Sequence, residues 1–147
     1  MRQLFYIRWV NSHLPLAQDI VSGTRFPDAC VTATWSIDLH YPKKPACACE
    51  AFRSETRHLK IKPYAIPYRC LYSRNVPNLL MAGRNISVTH VALGTVRVQR
   101  TTGMMGEVLG MAAFLCRKHN CDPRGVYEQH LADLYALLTQ GVPPAGN

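Results

Sequence analysis

NLLMAGRNISVTHVALGTVRVQRTTGMMGEVLGMAAFLCRK, residues 78–118, is the stretch around which the rest of the chain is organised. Leu79, Leu80, Met81 and Ala82 make an apolar run of the length of a buried strand, and it stops at Gly83, where backbone freedom replaces side-chain bulk. A polar hinge from Arg84 to Thr89 follows, and then His90. From Thr101 the period changes: Met105, Val108, Leu109, Ala112, Ala113, Leu115 and Cys116 recur at three-to-four spacing, which predicts an amphipathic helix with Thr101 or Thr102 as N-cap. Gly103, Gly106 and Gly110 fall on or near one face of it. Each costs about 1 kcal/mol relative to alanine in a helix interior, so close approach to a strand or a ligand is the expected compensation. A strand, a polar turn and a glycine-rich helix start together make an anion site, because unpaired N–H groups and the helix dipole point the same way. The competing reading is a helix packed tightly on a sheet with no ligand at all.

Working outward, Asp122 is a good N-cap and Pro123 suits a first helical position, so a second helix is expected. Val126, Tyr127, His130, Leu131, Leu134, Tyr135 and Leu138 form its apolar stripe, and Gly141, Pro143 and Pro144 stop it. On the other side, Pro63, Pro67 and Pro77 separate Tyr64, Ile66, Tyr68, Leu71 and Tyr72 into short extended pieces. Residues 41–62 carry little apolar periodicity and read as a surface loop. A β-branched run predicts a strand over residues 29–39, after turns at Ser22-Gly23 and Phe26-Pro27-Asp28. Asp38 and His40, two residues apart, then share one face. Residues 4–10 form a weak strand pattern, and Pro15 interrupts a second.

Composition narrows the classes. The chain of 147 residues is 48% hydrophobic, enough for a real core. Seventeen Lys and Arg against nine Asp and Glu give a formal charge of +8, which favours an anionic partner. Those charges are spread from Arg2 to Arg124, so dedicated nucleic-acid binding is not favoured; a small basic module binding an anionic polymer through residues 43–74 is the competing class. The opening MRQLFYIRWV is too short in apolar residues for a signal-peptide core or a membrane span, and the expectation is a cytoplasmic protein with six free cysteines. Cys116, His119 and Cys121 could join Cys47 and Cys49 around zinc, but the spacing fits no standard ligand pair, and no metal ligands are assigned. Neither GxxxxGK[ST] nor GxGxxG after a strand is present, so a C-terminal piece is the economical reading.

NLLMAGRNISVTHVALGTVRV followed by GMMGEVLGMAA resembles the C-terminal FAD-contacting segment of FAD-dependent oxidoreductases with a glutathione-reductase-like flavin domain. The branch resembled has an AGRNIS…H…LG…R pattern and is related to the flavin-bearing subunit of heterodisulfide reductases. RFPDACVTATWSIDLHYP and YAIPYRCLYSR resemble it too, so the likeness runs from about Asp19 and covers only the last part of a family member. It implies an α/β fold: the C-terminal fragment of a Rossmann-like FAD/NAD(P)-binding domain over residues 78–140, part of a mixed β substrate domain over 1–77, and a disordered tail over 141–147. Hydride or electron transfer through bound flavin, a small-molecule substrate and a missing N-terminal partner segment are implied with it. A [4Fe–4S] cluster enters by family association alone, since Cys47-x-Cys49 and Cys116-x4-Cys121 are not the close run that binds one.

Carried over residue by residue, the resemblance places Gly83 and Arg84 at the turn passing the ribityl and pyrophosphate region, where Arg84 would pair with a phosphate. Asn85, Ser87 and Thr89 would add polar contacts. Thr102, Gly103 and Met104 match the helix start facing the pyrimidine side of the flavin, and Gly106 and Gly110 would let the helix lie close to the cofactor. His90 is the first catalytic candidate, donating to an anionic substrate or moving a proton. Asp38, His40 and Arg69 are further ones, and Arg97 could be a substrate clamp or a surface charge.

Overall fold

The computed structural model describes residues 17–43, 51–86 and 88–141. Outside them lie the weak strand pattern at residues 4–10, Pro15, Cys47, Cys49, Ser87 and the tail beyond Gly141.

A 21-residue helix forms the spine. This helix, α3 (Gln99–His119), buries Thr101, Met105, Val108, Leu109, Ala112 and Leu115 on one side, the three-to-four stripe that its sequence predicts. Its N-cap lies three or four residues earlier than expected, at an extended Val98 that provides no side-chain cap, so the helix begins at Gln99. Thr101 and Thr102 are therefore inside the first turns, and the Thr102 amide already donates to the Val98 carbonyl at 3.0 Å. At the other end Asn120 takes the left-handed conformation (φ 51°), and the Cys121 amide closes on the Cys116 carbonyl at 3.0 Å.

Against α3 lie a strand pair and two short helices. Strand β1 (Ala29–Ala33) runs antiparallel to β4 (Tyr64–Pro67), with a register irregularity between Ala29 and Val31. A 3-10 turn, Tyr68–Cys70, follows β4. Its Tyr68 is fully buried, and the hydroxyl donates to the Pro123 carbonyl at 3.1 Å. This fastens the strand layer to α4 (Pro123–Gln129), which Asp122 caps by accepting from the Gly125 amide at 2.7 Å. The last helix, α5 (Leu131–Gln140), buries Leu134, and Tyr135 donates to the Pro27 carbonyl at 2.8 Å. Truncating a fully buried spine residue such as Leu115 to alanine costs roughly 2–5 kcal/mol.

Several expectations change. The strand over 29–39 divides: β1 ends at Ala33, and β2 (Ile37–Lys43) pairs with β3 (Arg53–Leu59) in a separate antiparallel sheet. The loop expected over 41–62 is therefore partly a hairpin. Every β3 residue is exposed, so no inside–outside alternation marks it in the sequence. Residues 79–82 make no strand, only an isolated bridge between Tyr72 and Leu80. His90 opens an unforeseen helix, α2 (His90–Val96), and the expected single C-terminal helix breaks at His130 into α4 and α5. A short helix, α1 (Ala17–Ser22), begins the described chain. The fold is a mixture of helices and small antiparallel sheets, compatible with a fragment of an α/β FAD-binding domain, and among the described residues both strand pairs are antiparallel.

Candidate functional site

Two groups of expected site residues come together, on different parts of the structure. The first is the turn and helix of the 78–118 stretch. Gly83 sits at φ +89°, a conformation that strains any residue with a Cβ, and it opens a 3-10 turn, Gly83–Asn85, with Arg84 and Asn85 exposed. Buried Ile86 anchors this turn, which packs on α3. Among the described residues, a Cβ added at Gly103, Gly106 or Gly110 would meet nothing within 4 Å. Their helix face is thus open, not pressed against a strand. Met104 is half-buried against the core, and the Thr102 hydroxyl donates to the Gln99 carbonyl at 3.0 Å. Thr89 caps α2 by accepting from the Ala92 amide at 3.4 Å, and His90 is exposed at the start of that helix.

The second group gathers on β2. Asp38 and His40 do share a face: His40 Nε2 lies 3.1 Å from Asp38 Oδ2. A carboxylate only accepts, so Nε2 carries the proton, and in the neutral ring Nδ1 accepts from Thr56 Oγ1 at 3.1 Å. Arg97 donates to the same Oδ2 at 3.0 Å. His58, directly across the ladder from Asp38, places Nδ1 3.4 Å from Oδ1. Burial raises the Asp38 pKa, but the His40 hydrogen bond and the charges of His40, His58 and Arg97 outweigh it and hold the carboxyl below its ordinary value of 3.8. Arg97 thus belongs to an ion-pair cluster, and His58 and Thr56 are members that the sequence reading missed. Their signal would have been the cross-strand register, which an all-exposed strand does not reveal. Ile37, Leu39 and Val91 line a cleft of about 480 Å³ on the hairpin's other face, with Gln18 and Arg57 among its polar residues.

Arg69 is elsewhere. Its backbone amide, Nε and Nη2 all donate to the fully buried Asp28, at 3.0, 2.9 and 3.0 Å, and its guanidinium lies 5.2 Å from the Tyr127 ring centre. A two-pronged pair stacked on an aromatic ring braces the junction of β4 and α4.

The donors can be tested against the two implied groups. For a flavin dinucleotide, the exposed Arg84 and Asn85 on a left-handed glycine turn that packs on α3 are donors suited to an anionic group, and the open glycines of that helix leave space along it. For an iron–sulfur cluster the described residues supply no ligand set, Cys47 and Cys49 lying outside them. Among the described residues no three cysteines converge, and burial pushes the Cys70 thiol up to about 12 and the Cys116 thiol, further raised by Cys121, up to about 11.

Comparison with known proteins gives one match. A model of the FAD dependent oxidoreductase family covers residues 8–138, beginning before the point where the resemblance reads from about Asp19. No curated protein and no solved structure matches the chain.

Proposed function

This chain belongs to the FAD-dependent oxidoreductase family, and from that premise we propose that residues 78–140 supply the C-terminal wall of a flavin site. Residues 1–77 would contribute part of the substrate-binding region. Flavin-linked redox chemistry is the family's function; the narrower kinship to the heterodisulfide-reductase flavin subunit rests on the AGRNIS…H…LG…R pattern with the RFPDACVTATWSIDLHYP and YAIPYRCLYSR segments. When bound, the flavin supplies the hydride- or electron-accepting ring.

The chain's own residues then have separate tasks. Arg84 pairs with a phosphate, and Asn85 offers a polar contact beside it. Gly103, Gly106 and Gly110 leave room for the cofactor along α3. His90, exposed at the start of α2, and the His40–Asp38 pair on β2 are the groups able to hold or move a proton for a substrate. Asp38 orients His40, while His40, His58 and Arg97 together hold the Asp38 carboxyl below its ordinary pKa. Since the chain carries no GxGxxG, the dinucleotide half of the site would come from an additional segment, which makes this chain incomplete as a stand-alone flavoenzyme.

Two observations carry the reading: the left-handed Gly83 turn packs on α3, and the Cβ positions of Gly103, Gly106 and Gly110 on that helix are open. Co-production with the GxGxxG half of a family member tests it. A yellow complex retaining FAD is the expected result, with Arg84→Ala weakening retention about tenfold, the effect of losing one charge-assisted hydrogen bond. A well-folded but colourless complex would refute the proposal.

A further inference from the structure

Where α3, α4 and α5 meet, three side chains that the flavin reading does not use converge. His119 is the last residue of α3, His130 lies at the break between α4 and α5, and Asp133 is in the first turn of α5. The break is itself unexplained by local propensity, for the sequence Val126-Tyr-Glu-Gln-His-Leu-Ala-Asp133 contains neither glycine nor proline. Its effect is to bring the His130 ring onto His119, with centroids 3.8 Å apart and planes 15° from parallel. Asp133 Oδ2 then stands 3.4 Å from His119 Nε2 and 3.4 Å from His130 Nδ1. His119 Nε2 is buried and has no hydrogen-bond partner among the described residues, the carboxylate being near but out of alignment.

We infer that His119, His130 and Asp133 form a binding site for a divalent cation of the zinc type. Two imidazole nitrogens and a carboxylate oxygen are donors suited to such an ion, and the three atoms lie within 4.8 Å of one another. Bonds of about 2.0–2.1 Å place tetrahedral donors about 3.4 Å apart, which matches both nitrogen-to-oxygen separations. As stacked, the two rings direct their in-plane lone pairs side by side, so metal binding would unstack them by rotation about χ2. The Asp133 side chain is 48% exposed, so the fourth position opens to water. Cys116 and Cys121, although close in sequence to His119, are not part of this donor group. The bound ion would tie the ends of three helices together, independently of the flavin.

The test uses the full chain and two probes, Zn2+ and Co2+. One equivalent of either should bind, Zn2+ should raise the melting temperature, and bound Co2+ should show visible d–d bands without thiolate charge-transfer absorbance. Asp133→Asn, which preserves shape at a half-exposed position, should weaken binding by more than about tenfold and abolish the Zn2+ effect on melting. His130→Gln should do the same, and Asp133→Asn decides alone if that variant does not fold. The double variant Cys116→Ser with Cys121→Ser should bind as the parent does. The absence of saturable binding, binding that survives Asp133→Asn, or loss of binding in the cysteine variant with a thiolate band in the parent would each overturn the assignment.

Discussion

Gly94 and Gly125 are hemmed in, whereas Gly103, Gly106 and Gly110 face open space. A Cβ at Gly94 in α2 would come within 2.7 Å of the Asp38 carbonyl oxygen and 3.0 Å of its nitrogen, and one at Gly125 in α4 within 2.9 Å of Cys121 Cβ. Along α3 the same substitution meets nothing within 4 Å. Glycine in a helix costs about 1 kcal/mol relative to alanine. At Gly94 and Gly125 the chain itself recovers that cost through close packing. On α3 it recovers nothing from the described chain. The contrast separates glycines packed within this fold from glycines that the proposed flavin site would use.

Substitution should make the contrast measurable. The largest effect is expected of Gly94→Ala, where a methyl group would strike backbone atoms that cannot rotate away: a loss of about 3 kcal/mol, read as a lower urea midpoint. Because Gly94 packs on the backbone of Asp38, this variant should also disturb the Asp38–His40 pair. Gly125→Ala should cost about 2 kcal/mol, since the nearest atom, Cys121 Cβ at 2.9 Å, moves only with its backbone while the Sγ beyond it can rotate away. On α3 the sign should reverse. Gly106→Ala, and Gly103→Ala or Gly110→Ala likewise, should each stabilise the chain by up to about 1 kcal/mol. A destabilising effect there would mean that the helix face is occupied within the chain, and the comparison would fail.

A smaller effect concerns the site that Gly94 supports. Asp38 has a folded-state pKa held below its unfolded value, so its contribution to stability is fully present above the unfolded value of about 3.9. It is lost as the pH falls through the depressed folded value. Asp38→Asn should therefore lower stability most in the neutral region, where the contribution is fully present, and flatten the acid limb between about pH 4 and the folded value, the two profiles converging below it. An unchanged acid limb would show that Asp38 is not held by His40, His58 and Arg97 in solution.

The same glycines show how much could be read without coordinates. The buried face of α3, the Asp122-Pro123 start of α4 and the shared face of Asp38 and His40 were legible, because period and capping chemistry are local signals. What the α3 glycines contact was not, since a close strand and an open site demand the same residue. The β3 strand escaped notice because its seven residues are all exposed, and α2 because HVALGTV is too short to establish a period. The break at His130 has no glycine or proline to announce it; it emerges only when His119 and Asp133 are seen in space. Thr102 was misplaced for a different reason: Gln99 and Arg100 are good helix formers and extend α3 past the threonines that could have capped it.

The central claim is that the open face of α3 is kept for a flavin. The most direct measurement is FAD retention by the chain co-produced with a GxGxxG segment, comparing the parent with the triple variant Gly103→Ala, Gly106→Ala, Gly110→Ala. The parent complex should be yellow, and the variant should be more stable to urea yet hold FAD at least about tenfold less tightly. A triple variant that binds FAD as well as its parent, or a folded parent complex without FAD, would contradict it.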